Sequence, residues 1–147
     1  MEEIDIIKSK ISQFRNIEKL IRRLYQERAI LIYELAGVKA VQYDKSKGNV
    51  NRNAIEMRKI MLSEDLTKIE EKISNNVQML KEIIKLLKEI DKENENLIVE
   101  GEEIKPSKLL ICVLCREKSN KEALKYFGFK NKMSMFRYIN NVIEGIL

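Results

Sequence analysis

The residues best placed to do chemistry here are hydrogen-bond donors, not nucleophiles or proton shuttles. Lys118, Lys121, Lys125, Lys130, Asn131, Lys132, Ser134, Arg137, Tyr138 and Asn141 all fall within the last thirty positions. Arginine can pair bidentately with guanine and asparagine with adenine. Lysine and serine reach phosphates or base edges. The first turn of a recognition helix reaches deepest into a major groove. That favours Asn131, Lys132 and Ser134 as base readers, with Arg137 one turn on. Lys118, Lys121 and Lys125 would contact the phosphates alongside. Each is also, taken singly, an ordinary exposed polar side chain.

Such side chains read a duplex only when a compact scaffold presents them. Ser119 and Glu122 form an S-x-x-E capping box, the signature of a helix start. Ala123, Leu124 and Phe127 line one face of the short helix that follows. Gly128 stands where a left-handed C-cap is needed, because glycine has no Cβ to clash there. A second helix should start near Asn131. Its buried face is expected to take Phe136, Ile139, Ile143 and Ile146, with Met135 and Val142 flanking. Capped helix, glycine turn and second helix make a helix–turn–helix, whose second helix can enter a DNA major groove.

Charge is distributed to match. The chain has 147 residues and a net charge of +5, with 35% of residues charged and 44% hydrophobic. From Lys105 onward there are nine basic residues and three acidic ones, so this segment carries +6 and residues 1–104 carry −1. A localised basic surface attracts polyanions by counterion release and long-range steering. A solvated lysine-rich surface is the plainer explanation of the same asymmetry.

The cysteines Cys112 and Cys115 have C-x-x-C spacing, but the chain has no histidine and no third cysteine. A structural zinc site needs about four such ligands. No βαβ setting for a redox pair is visible. Both read as small apolar residues of a buried helix, and no cofactor or metal is expected.

The elements behind this tail are helical. Ile4, Ile7, Ile11, Phe14, Ile17, Ile21, Leu24 and Leu31 recur at helical spacing, predicting one helix from about Glu3 to Ala36, with Gly37 as its stop. Ile6, Leu20, Ile30 and Leu35 broaden the stripe, as for a helix with more than one neighbour. Residues 38–52, with Tyr43 to Asn49 polar, read as a loop, and Asn53 can cap the next helix. From about Ala54 to Lys92, Leu66, Ile73, Leu80 and Leu87 form one heptad series. Leu62, Ile69, Ile83 and Ile90 form the other, with Asn76 or its neighbour Val77 completing it. Such a helix is roughly 58 Å long and needs a partner. The first helix, folded back as an antiparallel hairpin, is the simplest one. Asp91 to Lys105 is a second break, and Pro106 suits the first turn of a helix over Ser107 to Glu117. The expected architecture is all-α. Residues 1–96 form a long, coiled-coil-like antiparallel hairpin, and residues 105–147 form a three-helix helix–turn–helix domain. Dimerisation through the hairpin would double the recognition helices, although nothing in the sequence requires it.

Two stretches together resemble a known family. Lys118-Ser119-Asn120-Lys121-Glu122-Ala123-Leu124-Lys125-Tyr126-Phe127-Gly128-Phe129 resembles the helix–turn–helix of sigma-factor region four. Ala40-Val41-Gln42-Tyr43-Asp44-Lys45, followed by a long charged helix with Lys68-Ile69-Glu70-Glu71-Lys72-Ile73, is similar to small phage and prophage regulators of the ArpU/RinA type. The family has Ile-Ala where this chain has Ala123-Leu124, and a shorter turn after Gly128. The resemblance implies control of late phage genes, with Gly128 and Arg137 the residues most readily carried over.

An enzyme is not expected. Without histidine the usual proton shuttle near neutral pH is missing, and no phosphate-cradling glycine loop or nucleophile elbow occurs. Met1-Glu2-Glu3 is an acidic start rather than a basic signal-peptide start, and no apolar run approaches a membrane span. The bacterial cytosol is the expected location and double-stranded DNA the expected partner. The rival is a helical interaction module in which the hairpin binds RNA polymerase or a host protein without touching DNA.

Overall fold

A computed structural model describes residues 2–43 and 52–147. It is mostly helical: α1 (Glu2–Ser12), α2 (Phe14–Tyr43), α3 (Arg52–Glu93), β1 (Leu97–Val99), β2 (Glu102–Ile104), α4 (Pro106–Leu114), α5 (Asn120–Phe127) and α6 (Lys132–Glu144). None of the helices is long and apolar enough to cross a membrane, among the described residues. Contacts divide the chain into two compact units: the residues up to Ile17 with Met79–Leu147, and Glu18–Gln78. This differs from the expected division into 1–96 and 105–147. Side chains from both chain ends share one core, so contact does not follow sequence order.

In the first unit, α1 packs on α4 and α6, and α5 packs on α4, α6 and β1. Ile11, Ile90, Leu109, Leu110, Ala123, Met135, Ile139 and Ile143 are fully buried at its centre. The expected single N-terminal helix is interrupted at Gln13. The Gln13 amide bonds back three residues to the Lys10 carbonyl at 3.2 Å, a tightened turn that ends α1. The Cys115 thiol meets this break and donates to the Ile11 carbonyl at 3.2 Å. Arg15 forms an ion pair with Glu117 beside it. Of the residues expected to broaden the first helix's stripe, Ile6 and Ile30 are exposed.

The second break holds a β-ribbon. Leu97 pairs with Ile104, and Val99 with Glu102. Glu100 and Gly101 connect them at φ 52° and 82°, the positive pair that a tight two-residue hairpin turn demands. Pro106 occupies the first turn of α4 as expected. The side chain of Lys105 makes no cap bond. Asp91 instead caps α4 from α3, accepting from the Ser107 amide at 2.8 Å and from its hydroxyl at 2.7 Å. Helix α4 stops short of the expected Glu117. Arg116 turns left-handed at φ 55°, and the Glu117 amide closes onto the Cys112 carbonyl at 3.0 Å. That is a Schellman ending built without glycine.

In the second unit, α2 and α3 come close at several positions. Arg28 Nε lies 3.9 Å from Glu70, and Gly37 and Val38 share a recess with Ala54 and Ile55. Gly37 does not stop the helix, which runs through to Tyr43. A mid-helix glycine costs only about 1 kcal/mol, and the buried Val38 lies just past it. Helix α3 starts at Arg52, so Asn53 falls inside it rather than ahead of it. The rest of the expected loop, 44–51, lies outside the described residues. Of the heptad positions, Leu62, Ile73, Ile83, Leu87 and Ile90 are buried, and Leu66, Ile69 and Leu80 are half-buried. Asn76 and Val77 are both half-buried, and the Asn76 amide donates to its own helix at the Lys72 carbonyl, 2.7 Å away.

Candidate functional site

The local signals around α5 and α6 are realised as hydrogen bonds. Ser119 has extended backbone, and its hydroxyl oxygen accepts from the Glu122 amide at 3.2 Å. The Ser119 hydroxyl in turn donates to the Glu122 carboxylate at 3.0 Å. Helix α5 ends at Gly128, which is left-handed at φ 76° and ψ 26°. The Phe129 amide then closes onto the Leu124 carbonyl at 3.0 Å. After a short turn, Asn131 caps α6: its Oδ1 accepts from the Ser134 amide at 2.8 Å. The expected base reader at this position therefore has its carbonyl oxygen engaged within the chain, leaving the amide nitrogen for outside contacts.

Which side of α6 is buried differs in detail from expectation. Met135, Ile139, Val142 and Ile143 are the buried residues, while Phe136 and Ile146 are only half-buried. The buried stripe is rotated toward Met135 and Val142, because α1 and α5 pack on α6 from different parts of the chain. Tyr138 is the site residue that this rotation removes from the open side. Its ring lies 5.6 Å from that of Phe129. Its hydroxyl is buried with no hydrogen-bond partner among the described residues. Burial, with the nearby Asp91 carboxylate, raises its phenol above the ordinary value. Tyr138 braces α6 against the turn.

The other expected residues keep polar groups at the surface. Lys130, Asn131, Lys132, Ser134, Arg137 and Asn141 are exposed, as are Lys121 and Lys125 of α5. Lys130, Lys132 and Arg137 make no ion pair among the described residues. Lys118 is half-buried, its ammonium 5.0 Å over the Tyr126 ring. Lys108 of α4 donates to the Tyr126 hydroxyl at 3.0 Å, and that bond raises its pKa. Tyr126 thus gathers two cations, a grouping that no spacing in the sequence signals. A recess of about 380 Å³ beside them is lined by Lys118 and Lys125 but also by Glu100, Glu102 and Glu122. Lys118 and Lys125 therefore face carboxylates. Sequence reasoning also missed Met133, an apolar side chain 70% exposed between Lys132 and Ser134.

The cysteines have a packing environment. Cys112 is buried and Cys115 half-buried, and both are free thiols. Desolvation raises both pKa values, and the Glu117 carboxylate adds to it. The backbone amides of Arg15 and Phe14 only partly offset this at Cys115. Neither thiol is set up to ionise. Among the described residues no group of three metal-ligating side chains occurs.

Comparison with protein families, with curated proteins and with solved structures finds no match.

Proposed function

We propose that this chain is a sequence-specific, double-stranded-DNA-binding regulator of transcription. In this reading α5, the Gly128 turn and α6 form a helix–turn–helix, and α2 with α3 forms a helical hairpin. The observation that carries the reading is the open side of α6. Ser134, Arg137 and Asn141 are exposed there, with Lys130 and Lys132 exposed at its start, and the three cations have no internal partner among the described residues. The helix N-terminus adds its partial positive charge at the same end. Lys132 and Ser134 would reach base edges first and Arg137 next, with Asn141 further along. Lys121 and Lys130 would hold flanking phosphates. Asn131 acts first as the cap that orients this turn and second through its free amide. The phage late-gene setting implied by the ArpU/RinA-type and sigma region-four resemblance, with action in the bacterial cytosol and contact with RNA polymerase, belongs to the same proposal.

The test is fluorescence anisotropy with duplexes enriched from a random pool, read at several salt concentrations. Specific binding with a log–log salt slope of about −0.9 per phosphate contact is expected. A competing reading, a protein-interaction module without DNA binding, draws on the exposed apolar residues of α2 and α3, among them Tyr33, Met57 and Ile60. No enrichment, and no binding even at about 50 mM salt, where phosphate contacts are strong, would transfer the function to that reading.

A further inference from the structure

Met133 adds almost nothing to the core. It is 70% exposed, whereas Met135, two residues further along α6, is fully buried. On α6 no other large apolar side chain is exposed, among the described residues. A methionine ordinarily stabilises a fold by being taken out of water, and this one is left in it.

Its neighbours on the helix are the candidate base readers. Arg137 follows four residues later, one turn further along the same side, and Asn141 follows Arg137 by four more. Both are exposed, as are Ser134 beside Met133 and Lys130 and Lys132 just ahead of it. Lys130, Lys132 and Arg137 make no ion pair among the described residues. Helical side chains lean toward the N-terminus of their helix, so Met133 projects toward the end that Asn131 caps. A recognition helix enters the groove with that end deepest.

These surroundings say what an apolar group at this place would meet. A protein partner seals an apolar contact with a patch of several such side chains. Here there is one, set among three cations, and an apolar cover would strip water from those charges without pairing them. The major groove has the complementary arrangement: phosphates for the cations, polar base edges, and a single apolar feature, the C5-methyl of thymine. We infer that Met133 reads a thymine through contact of its thioether chain with that methyl. This rests on the DNA-binding reading and names one base of its site. One helical turn is about 5.4 Å and one base-pair step about 3.4 Å, so the thymine lies within about two base pairs of the base at Arg137. An unbranched, polarisable side chain settles against a methyl without strict geometry.

Fluorescence anisotropy of the full chain tests this, on the duplex enriched from a random pool and on copies in which each thymine in turn is replaced by uracil. Uracil keeps the hydrogen-bonding groups and lacks only the methyl. For the parent, one such replacement should raise the Kd about three- to fivefold, as expected for one methyl-sized group withdrawn from contact. Met133→Ala and Met133→Gln should bind that copy and the thymine duplex equally, whereas Met133→Leu should keep the preference. The coupling between side chain and methyl separates their contact from any effect of uracil on the duplex itself. Circular dichroism should be unchanged in every variant, because the position is exposed. A parent indifferent to every uracil copy overturns the inference and leaves the DNA reading standing. So does a preference that Met133→Ala leaves undiminished. If no duplex enriches, the DNA reading fails and this inference fails with it.

Discussion

Two helix ends of the first unit share one backbone conformation, and only one of them uses glycine. Gly128 ends α5 at φ 76° and Arg116 follows α4 at φ 55°. For a residue with a Cβ, the left-handed region costs roughly 1–2 kcal/mol. A Cβ added at Gly128 meets no atom within 4 Å, so Gly128→Ala adds no collision and its cost is the backbone term alone. Against that, alanine narrows the unfolded ensemble by about 0.4–1 kcal/mol. The net expectation is a loss of about 1 kcal/mol. Arg116→Gly runs the same comparison in reverse. It relieves the left-handed penalty and widens the unfolded ensemble, for a net gain of about 0.5–1 kcal/mol. Urea unfolding followed by circular dichroism measures both. With a slope of about 1–3 kcal/mol per molar, the two midpoints should move in opposite directions by several tenths molar at unchanged slope. Gly128→Asn should lose less than Gly128→Ala, because asparagine tolerates this region better. Midpoints that shift the same way, or an alanine variant at least as stable as the parent, would refute the reasoning that backbone conformation alone sets these two helix ends.

Asn131→Ala should cost about 1 kcal/mol through loss of the cap to the Ser134 amide, whereas Asn131→Asp should keep stability and weaken DNA binding by placing a carboxylate between Lys130 and Lys132. Thermal unfolding and anisotropy separate the two effects. Arg137→Ala should weaken binding to an enriched duplex by about 1–3 kcal/mol if the guanidinium reads a base; equal losses on enriched and random duplex would assign it to phosphate. In the fold, burial raises the Cys112 and Cys115 thiols and the Tyr138 phenol. The unfolded chain therefore loses these protons first as pH rises, and the folded state binds more of them. Stability should hold below the ordinary thiol range, about pH 8.5, and fall above it. A chain equally stable at pH 7 and pH 10 in urea titrations would contradict that sign.

Two helix ends were legible in the sequence, while the stop expected at Gly37, the cap at Asn53 and the end at Glu117 were not. Ser119 and Gly128 were readable because a cap is settled within four or five residues, by a side-chain oxygen meeting a nearby amide or by a glycine reaching positive φ. The Asp91 cap of α4 was hidden because its partner, Ser107, lies sixteen residues away. The ending of α4 was also hidden, since Arg116 adopts a conformation its type does not announce. The heptad seam of α3 could be read because α3 repeats one spacing over many turns. The ribbon at Leu97–Ile104 was marked only by three apolar residues and one glycine, too few to separate a strand from a loop.

Burial on α6 shows where local reading stops. Periodicity along the chain dictated that this helix has an apolar side and an open, polar side, since alternation at 3.6 residues per turn is a property of the residues themselves. Whether Phe136 or Met135 sits at the centre of that side, and whether Tyr138 faces outward or braces the turn, depended on α1 and α5 arriving from distant parts of the chain. The break at Gln13 is of the same kind, seated against Cys115 more than a hundred residues later. Short-range hydrogen bonding and side-chain rhythm are written residue by residue; the direction a helix turns in the core is decided only once its neighbours have packed, because close packing leaves no room for two answers.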